Sequence, residues 1–408
     1  MPKTHGTWAR PESLEISLWL MVLSMSGWPC RLLPVVAIPV RDEEDRIAKC
    51  LQALARQEGA SVHHVVLLLN NCTDATQTVT EGMASSLPFG LTVAERTYPP
   101  ELAHAGTARR EGMEIAAAIA GPDGLLFTTD ADGVVAPDWL ARNLDAFGTG
   151  VTAVCGRAVI DPVEAQAIPA SLHADDMAEM AYGTALDRIH ALVDPDPADP
   201  WPRHTEHSGA SIAVTVAAWQ KAGGIPALSS GEDRGFIAAL RRVDTLVRHA
   251  PDVVVTVSGR TEGRAKGGMA ETMARRMRQQ DEMLDDALEP AVLCLRRAQA
   301  RAWLKSVWKP GSWTDEVIDS IRGLAAFLAL PFVEVLAQTE TAYFGQAWET
   351  LERVSPLLRR QMVRRGDLTR HHAEAEAIVR DLLIRDIMPT PLRCRKASVA
   401  IPEDEAVR

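Results

Sequence analysis

The run Gly124-Leu-Leu-Phe127-Thr-Thr-Asp130-Ala-Asp132-Gly133 constrains the fold more than any other stretch, because a short apolar segment ends in two carboxylates one residue apart. Leu125, Leu126 and Phe127 predict a strand buried on both faces, the kind found in parallel sheets. In such sheets ligands bind beyond the carboxyl ends of the strands, where Asp130 and Asp132 would stand. Two hard oxygen donors so placed suit a shared divalent cation, or one cation and one sugar hydroxyl. Taken alone, the same residues read equally as a turn, since Asp and Gly both favour turns after strands. An EF-hand loop is excluded: its fifth and twelfth positions would be Val134 and Ala141, neither able to ligate calcium through a side chain.

The flanking chain alternates. Pro34 to Val40 is a β-branched run, Asp42-Glu-Glu-Asp45 offers a helix start rich in acids, and Ile47, Leu51 and Leu54 follow at helical spacing. Val62 to Leu69 predicts a second strand, Leu91 to Thr97 a third, and Ala103 to Ala120 a helix before the Asp130 strand. A helix over Pro137 to Phe147 and extended chain over Val151 to Ile160 continue the rhythm. Strands separated by helices predict a parallel, doubly wound α/β sheet, because parallel neighbours need a crossover. An amphipathic helix and a proline-rich loop, Asp194 to Pro202, interrupt the pattern between about 165 and 202. A last strand is expected at Asp252 to Ser258, and helical periods dominate from Gly268 to about Ile387.

Several chemistries fail on their motifs. No Walker-type phosphate loop is present, and Gly148-Thr-Gly150 precedes a strand instead of following one, which argues against a dinucleotide site. Gly209-Ala-Ser211-Ile-Ala213 lacks the final glycine of a hydrolase elbow. A net charge of −11 disfavours nucleic acid as a partner. The six cysteines are scattered without a Cys-x-x-Cys pair, which points to reduced thiols and a cytoplasmic location. The apolar stretch from Ile16 to Trp28 is read as a poorly packed leader. No run of eighteen apolar residues predicts a transmembrane segment, the best candidate being broken by Pro331 and Glu334.

Taken in order, five segments resemble family 2 glycosyltransferases of the GT-A fold, over roughly residues 34–260. They are Val36-Ala-Ile-Pro39-Val-Arg-Asp42-Glu43-Glu44, Asn70-Asn-Cys-Thr-Asp74-Ala-Thr76, Gly106-Thr-Ala-Arg109-Arg110-Glu-Gly112, Asp130-Ala-Asp132 and Gly231-Glu232-Asp233. The first turn departs from the family by carrying Arg41-Asp42 where an aromatic or small residue and Asn are usual. The Gln/Arg-x-x-Arg-Trp element and membrane helices of polysaccharide synthases are absent, which favours a single transfer to a soluble acceptor.

The resemblance implies a Rossmann-like GT-A domain over 34–260 with a mostly parallel sheet and helices on both faces. A leader at 1–33, a mostly helical region at 261–390 and a tail at 391–408 complete the chain. It implies a UDP- or GDP-linked sugar donor, Mg²⁺ or Mn²⁺, a small or soluble hydroxyl acceptor of unspecified identity, and inversion. Donor contacts fall on Pro39, Asp42, Glu43, Asn70, Asp74, Gly106, Arg109 and Asp130, with Asp74 orienting the base. Arg260 and Arg264 sit on a loop that could fold over the diphosphate. Asp130 and Asp132 would hold the metal, with His249 a candidate further ligand, though a His beside a strand also serves structure. Asp233, with Glu232 beside it, would be the general base. A retaining transferase of the mannosylglycerate-synthase type, which also adds helices, and a non-catalytic sugar-nucleotide scaffold are the rival readings. The helical region is where a homo-oligomer would form.

Overall fold

The computed structural model describes residues 33–261, 263 and 268–387; Arg264, the leader and the tail lie outside them. Strands β1 (Pro34–Val40), β2 (His64–Asn70), β3 (Gly90–Arg96) and β4 (Leu125–Thr128) form a parallel half-sheet in the order 3-2-1-4. Helices α1 (Ile47–Ala55), α2 (Thr76–Met83) and α3 (Ala105–Ala120) make the crossovers. After the short β5 (Val134–Val135) and α4 (Trp139–Gly148), β6 (Ala153–Ile160) returns to the sheet, and the chain then leaves it to build α5 (Ala170–Val193). It comes back from the opposite direction, so β7 (Ile212–Thr215) runs antiparallel between β4 and β6. Helices α6 (Val216–Lys221) and α7 (Glu232–Arg242) precede β8 (Val247–Val257), which lies parallel to β6 and antiparallel to β5 at the edge. The sheet is therefore mixed, with its parallel half holding the ends of β1, β2 and β4 side by side.

Period-two alternation builds its two faces. Val36, Ile38 and Val40 pack with Val65, Leu67 and Phe127 under α1 and α4, whereas Val35, Ala37, Val66 and Leu126 face α3 and α7. Phe127 lies 5.4 Å from Trp139 and 6.4 Å from Phe147, centroid to centroid, within the range where aromatic pairs add about 0.5–1.5 kcal/mol beyond area burial. That packing fixes β4, and with it the two aspartates that follow.

Beyond the sheet come α8 (Met269–Arg278), α9 (Ala291–Val307), α10 (Asp315–Leu328), α11 (Phe332–Gln338), α12 (Phe344–Val354) and α13 (Leu368–Ile387). Tyr182, Leu186 and Ile189 of α5 share a core with α9 and α13, so a helix from between two sheet strands belongs to the helical layer. A second core joins α9 to α10, α11 and α12. Among the described residues no single helix is long and apolar enough to cross a membrane; α10 and α11 qualify only as a pair bent by 113°.

Candidate functional site

Asp130 and Asp132 stand just past the end of β4, at the floor of a cleft of about 1660 Å³. Arg109 reaches them from α3, but not as an exposed arm. Its guanidinium is buried and fully engaged: Nη2 donates to Asp130 Oδ1 at 2.7 Å, Nε to Glu232 Oε1 at 3.2 Å, and Nη1 to Thr128 Oγ1 and the Gly209 carbonyl at 2.6 and 2.8 Å. The planar fork thus ties β4, α7 and the 209 loop together. Arg109 lines the cleft, and the partners its side chain makes are inside the protein. Arg110 is the solvent-facing member of the pair, bonded to Glu114. Gly106 is likewise structural, since a Cβ there would meet the Leu228 carbonyl oxygen at 2.3 Å.

Arg260 follows β8 and bridges the acids from the other side. It meets Glu43 at 2.7 Å and Asp132 at 3.1 Å. Asp132 is nonetheless short of positive charge. Burial first, then repulsion from Asp130 and from Glu43, push its carboxyl up to about 6 against the pull of Arg260. Asp130, held by Arg109, and Asp132, held by Arg260, gather hard oxygen donors at one point with Asp132 pushed toward its protonated form, and such a donor set fits a divalent cation.

The ends of β1 and β2 are joined by reciprocal turn contacts. Asp42, at φ 51°, accepts from the Thr73 N–H at 2.7 Å, and Asp74 accepts from the N–H groups of Glu44 and Thr76, both at 3.0 Å. Asp and Asn tolerate this left-handed backbone through local hydrogen bonds of that kind. Asp42 and Asp74 hold the two turns in place through these contacts. Pro39, Glu43 and Asn70 line the cleft. Asn70 Nδ2 donates to the His104 carbonyl at 3.2 Å, while its Oδ1, buried, finds no partner among the described residues. A buried amide oxygen left open at a cleft can accept a hydrogen bond from a bound molecule.

Across the cleft, Gly231 adopts φ 71° and starts α7, a left-handed cap that glycine enters without steric cost. Glu232 turns inward to Arg109. Asp233 turns toward the cleft, its carboxylate steadied by the Gly209 N–H at 3.1 Å and the Arg234 N–H at 2.7 Å. Each oxygen keeps a lone pair for another proton. Sequence reasoning did not anticipate the Gly209 contact, which spans 24 residues and leaves no local signal.

His249 is not brought to the aspartates. Its Nδ1 lies 2.8 Å from Asp199 Oδ2 and its Nε2 3.4 Å from Arg241 Nη2. Burial lowers it to about 4, so the ring is neutral, with Nδ1–H donating to Asp199 and Nε2 accepting from Arg241. Both ring nitrogens are in use. The candidate third metal ligand is corrected to a positioning residue, and Asp199, from the proline-rich loop, is the partner that sequence reasoning missed.

Residues 35–195 match the family model described as glycosyl transferase family 2. Those residues form a family 2 glycosyltransferase domain. No curated protein sequence matches the transferase. Among solved structures it is similar to the mannosyltransferase PcManGT from Pyrobaculum calidifontis in complex with GDP-Man and Mn²⁺, at 16% identity and a TM-score of 0.41, over 91% of this chain and 94% of that one. It is also similar to S. aureus TarS 1-349 in complex with UDP-GlcNAc, at 16% identity and a TM-score of 0.42, over 87% and 92% of the two chains. Glucosyl-3-phosphoglycerate synthase from Mycobacterium tuberculosis, with Mn²⁺, UDP-Glc and phosphoglyceric acid, gives 14% identity and a TM-score of 0.36 over 72% and 86%.

Proposed function

We propose that the transferase moves a sugar from a nucleoside-diphosphate donor to a hydroxyl acceptor by single displacement with inversion, using a divalent ion held by Asp130 and Asp132. The observation that carries this reading is one cleft with two unlike walls: Asp130 on Arg109 and Asp132 and Glu43 on Arg260 on one side, and Asp233, pointed inward on two N–H donors, on the other. When bound, Mg²⁺ or Mn²⁺ supplies charge compensation for the departing diphosphate. Arg109 holds Asp130 in place, Arg260 offsets Glu43 and Asp132, and Asn70 Oδ1 accepts from a base N–H. Asp233 takes the proton of the acceptor hydroxyl as the new bond forms. A cytoplasmic setting belongs to the same reading, with Cys50, Cys72, Cys155 and Cys294 as free thiols.

Stabilisation by Mn²⁺ tests the metal site. The Asp132 pKa is raised on folding, so without metal its contribution to stability is complete below about pH 4 and lost as pH rises through about 6, where the carboxylate ionises. A cation needs that ionised form, and protons compete with it below pH 6. The shift in Tm produced by Mn²⁺ with UDP or GDP is expected to grow between pH 5 and pH 7, and to vanish in Asp132→Asn along with transfer. A Tm shift that is flat with pH, or full transfer in excess EDTA, would remove the ion from the reading.

Asn70→Ala tests the base contact. Loss of one neutral hydrogen bond is worth about 0.5–1.5 kcal/mol, so nucleotide Kd by titration calorimetry is expected to rise roughly 2- to 10-fold, with turnover at saturating donor little changed. An unaltered Kd would place the base elsewhere.

A further inference from the structure

The cleft continues past Asp233. It extends between α7, the loop after α5 and α9 into a chamber whose lining mixes Arg203, Arg241, Arg301 and Lys305 with Asp187, Asp194 and Asp199. Three of these cations have carboxylate partners: Arg203 meets Asp199 at 3.0 Å, and Arg301 and Lys305 both meet Asp194. Arg241 forms no ion pair among the described residues. Its hydrogen bond is to the neutral His249 ring, which Asp199 orients from behind. Arg241 lies deep within the protein yet is open to solvent, because it faces the chamber interior. Burial, with repulsion from Arg203 and Arg301 beside the opposing pull of Asp199, holds the guanidinium below its ordinary value.

We propose that this chamber is the acceptor subsite, and that the acceptor is an alcohol bearing an anionic group, carboxylate or phosphate, which Arg241 receives. The inference rests on the transferase reading and adds the class of acceptor. Asp233 and Arg241 lie on one helix, eight residues and therefore about 12 Å of rise apart, and the long arginine side chain shortens the interval to its guanidinium. A molecule of a few carbons can present a hydroxyl to Asp233 and its charge to Arg241. The wall between them is held at its far end, where the Asp244 carboxylate accepts from the N–H groups of Phe344 and Gly345 at 2.8 and 2.7 Å and docks α12 on the end of α7. A cation positioned on a fixed helix by a neutral histidine, with no carboxylate bonded to it among the described residues, can form a charge-assisted bidentate contact without first leaving an anionic partner.

The experiment uses the full chain with inorganic phosphate as binding probe and glycerol, glycerate and glycerol 3-phosphate as acceptor probes. With saturating nucleotide and Mn²⁺ occupying the donor side, phosphate is expected to bind the wild type, and Arg241→Gln is expected to weaken it by ~10- to 100-fold. The wild type is expected to prefer at least one of the two anionic alcohols to glycerol in kcat/KM by a similar factor. Arg241→Gln should erase that preference and Arg241→Lys restore part of it. The better of the two anions identifies carboxylate or phosphate. Phosphate affinity unchanged in Arg241→Gln, or equal use of glycerol and both anions, overturns the proposal. Should Arg241→Gln not fold, Arg241→Lys decides by the same two measurements. Failure of the transferase reading shows separately, as no nucleotide binding by the wild type, and phosphate titration without nucleotide then still decides whether Arg241 holds an anion.

Discussion

Arg109→Met is expected to destabilise the protein by about 3–5 kcal/mol and to abolish transfer, the largest loss of stability we anticipate from any single substitution in the cleft. The reason is what remains behind. Methionine fills much of the volume, but Glu232, Asp130, Thr128 Oγ1 and the Gly209 carbonyl each lose a donor at once, and Glu232 is buried. Removing one partner of a buried ion pair costs far more than the net worth of the pair, because the other charge stays without compensation. Arg109→Lys keeps the charge but has no planar fork to serve four acceptors, and is expected to recover only part of the loss. Denaturant unfolding of both variants measures the effect. A midpoint within about 0.5 kcal/mol of wild type would mean that the network contributes little.

The role of Arg109 shows where sequence reasoning reached and where it stopped. An arginine pair on a predicted helix reads as solvent-facing or ligand-facing, and Arg110 is solvent-facing. What buries its neighbour are groups 100 and 123 residues away, at Gly209 and Glu232, which no local pattern announces. Elements with strong periodicity were legible for the opposite reason. β1, β2 and α1 carry their burial in their own alternation, and the Asp130-Ala-Asp132 turn inherits its place from the apolar run before it. The antiparallel entry of β7 was not legible, since Ile212 to Thr215 would look the same in either direction. His249 was misplaced because a lone histidine beside a strand says nothing of its partner. Asp199, 50 residues earlier in a proline-rich loop, decides its function. Asp42 and Asp74 were assigned to the donor by the family resemblance, and what no local pattern announces is that their carboxylates also join the turns those strands end in.

Asp233→Asn is expected to lower turnover by roughly 10²- to 10⁴-fold while nucleotide affinity and Tm stay near wild type. Single displacement needs a carboxylate on the acceptor side, opposite the departing diphosphate, to receive the hydroxyl proton as the bond to the anomeric carbon forms. Of the two acids at the start of α7, Glu232 is committed to Arg109 and buried, whereas Asp233 lines the cleft on two backbone donors. Asparagine keeps the shape and one acceptor oxygen, so it can retain one of those two contacts, but an amide has no lone-pair site basic enough to take the proton. The substitution therefore separates catalysis from structure, where Glu232→Gln would disturb the Arg109 network and confound the two. Steady-state turnover with saturating donor, calorimetric nucleotide Kd, and the anomeric configuration of the product by NMR form one set of measurements. Loss of turnover with unchanged Kd and an inverted product is the expected pattern. An active Asp233→Asn enzyme would remove Asp233 as the base, and a product of retained configuration would replace single displacement with a different reaction course on the same cleft.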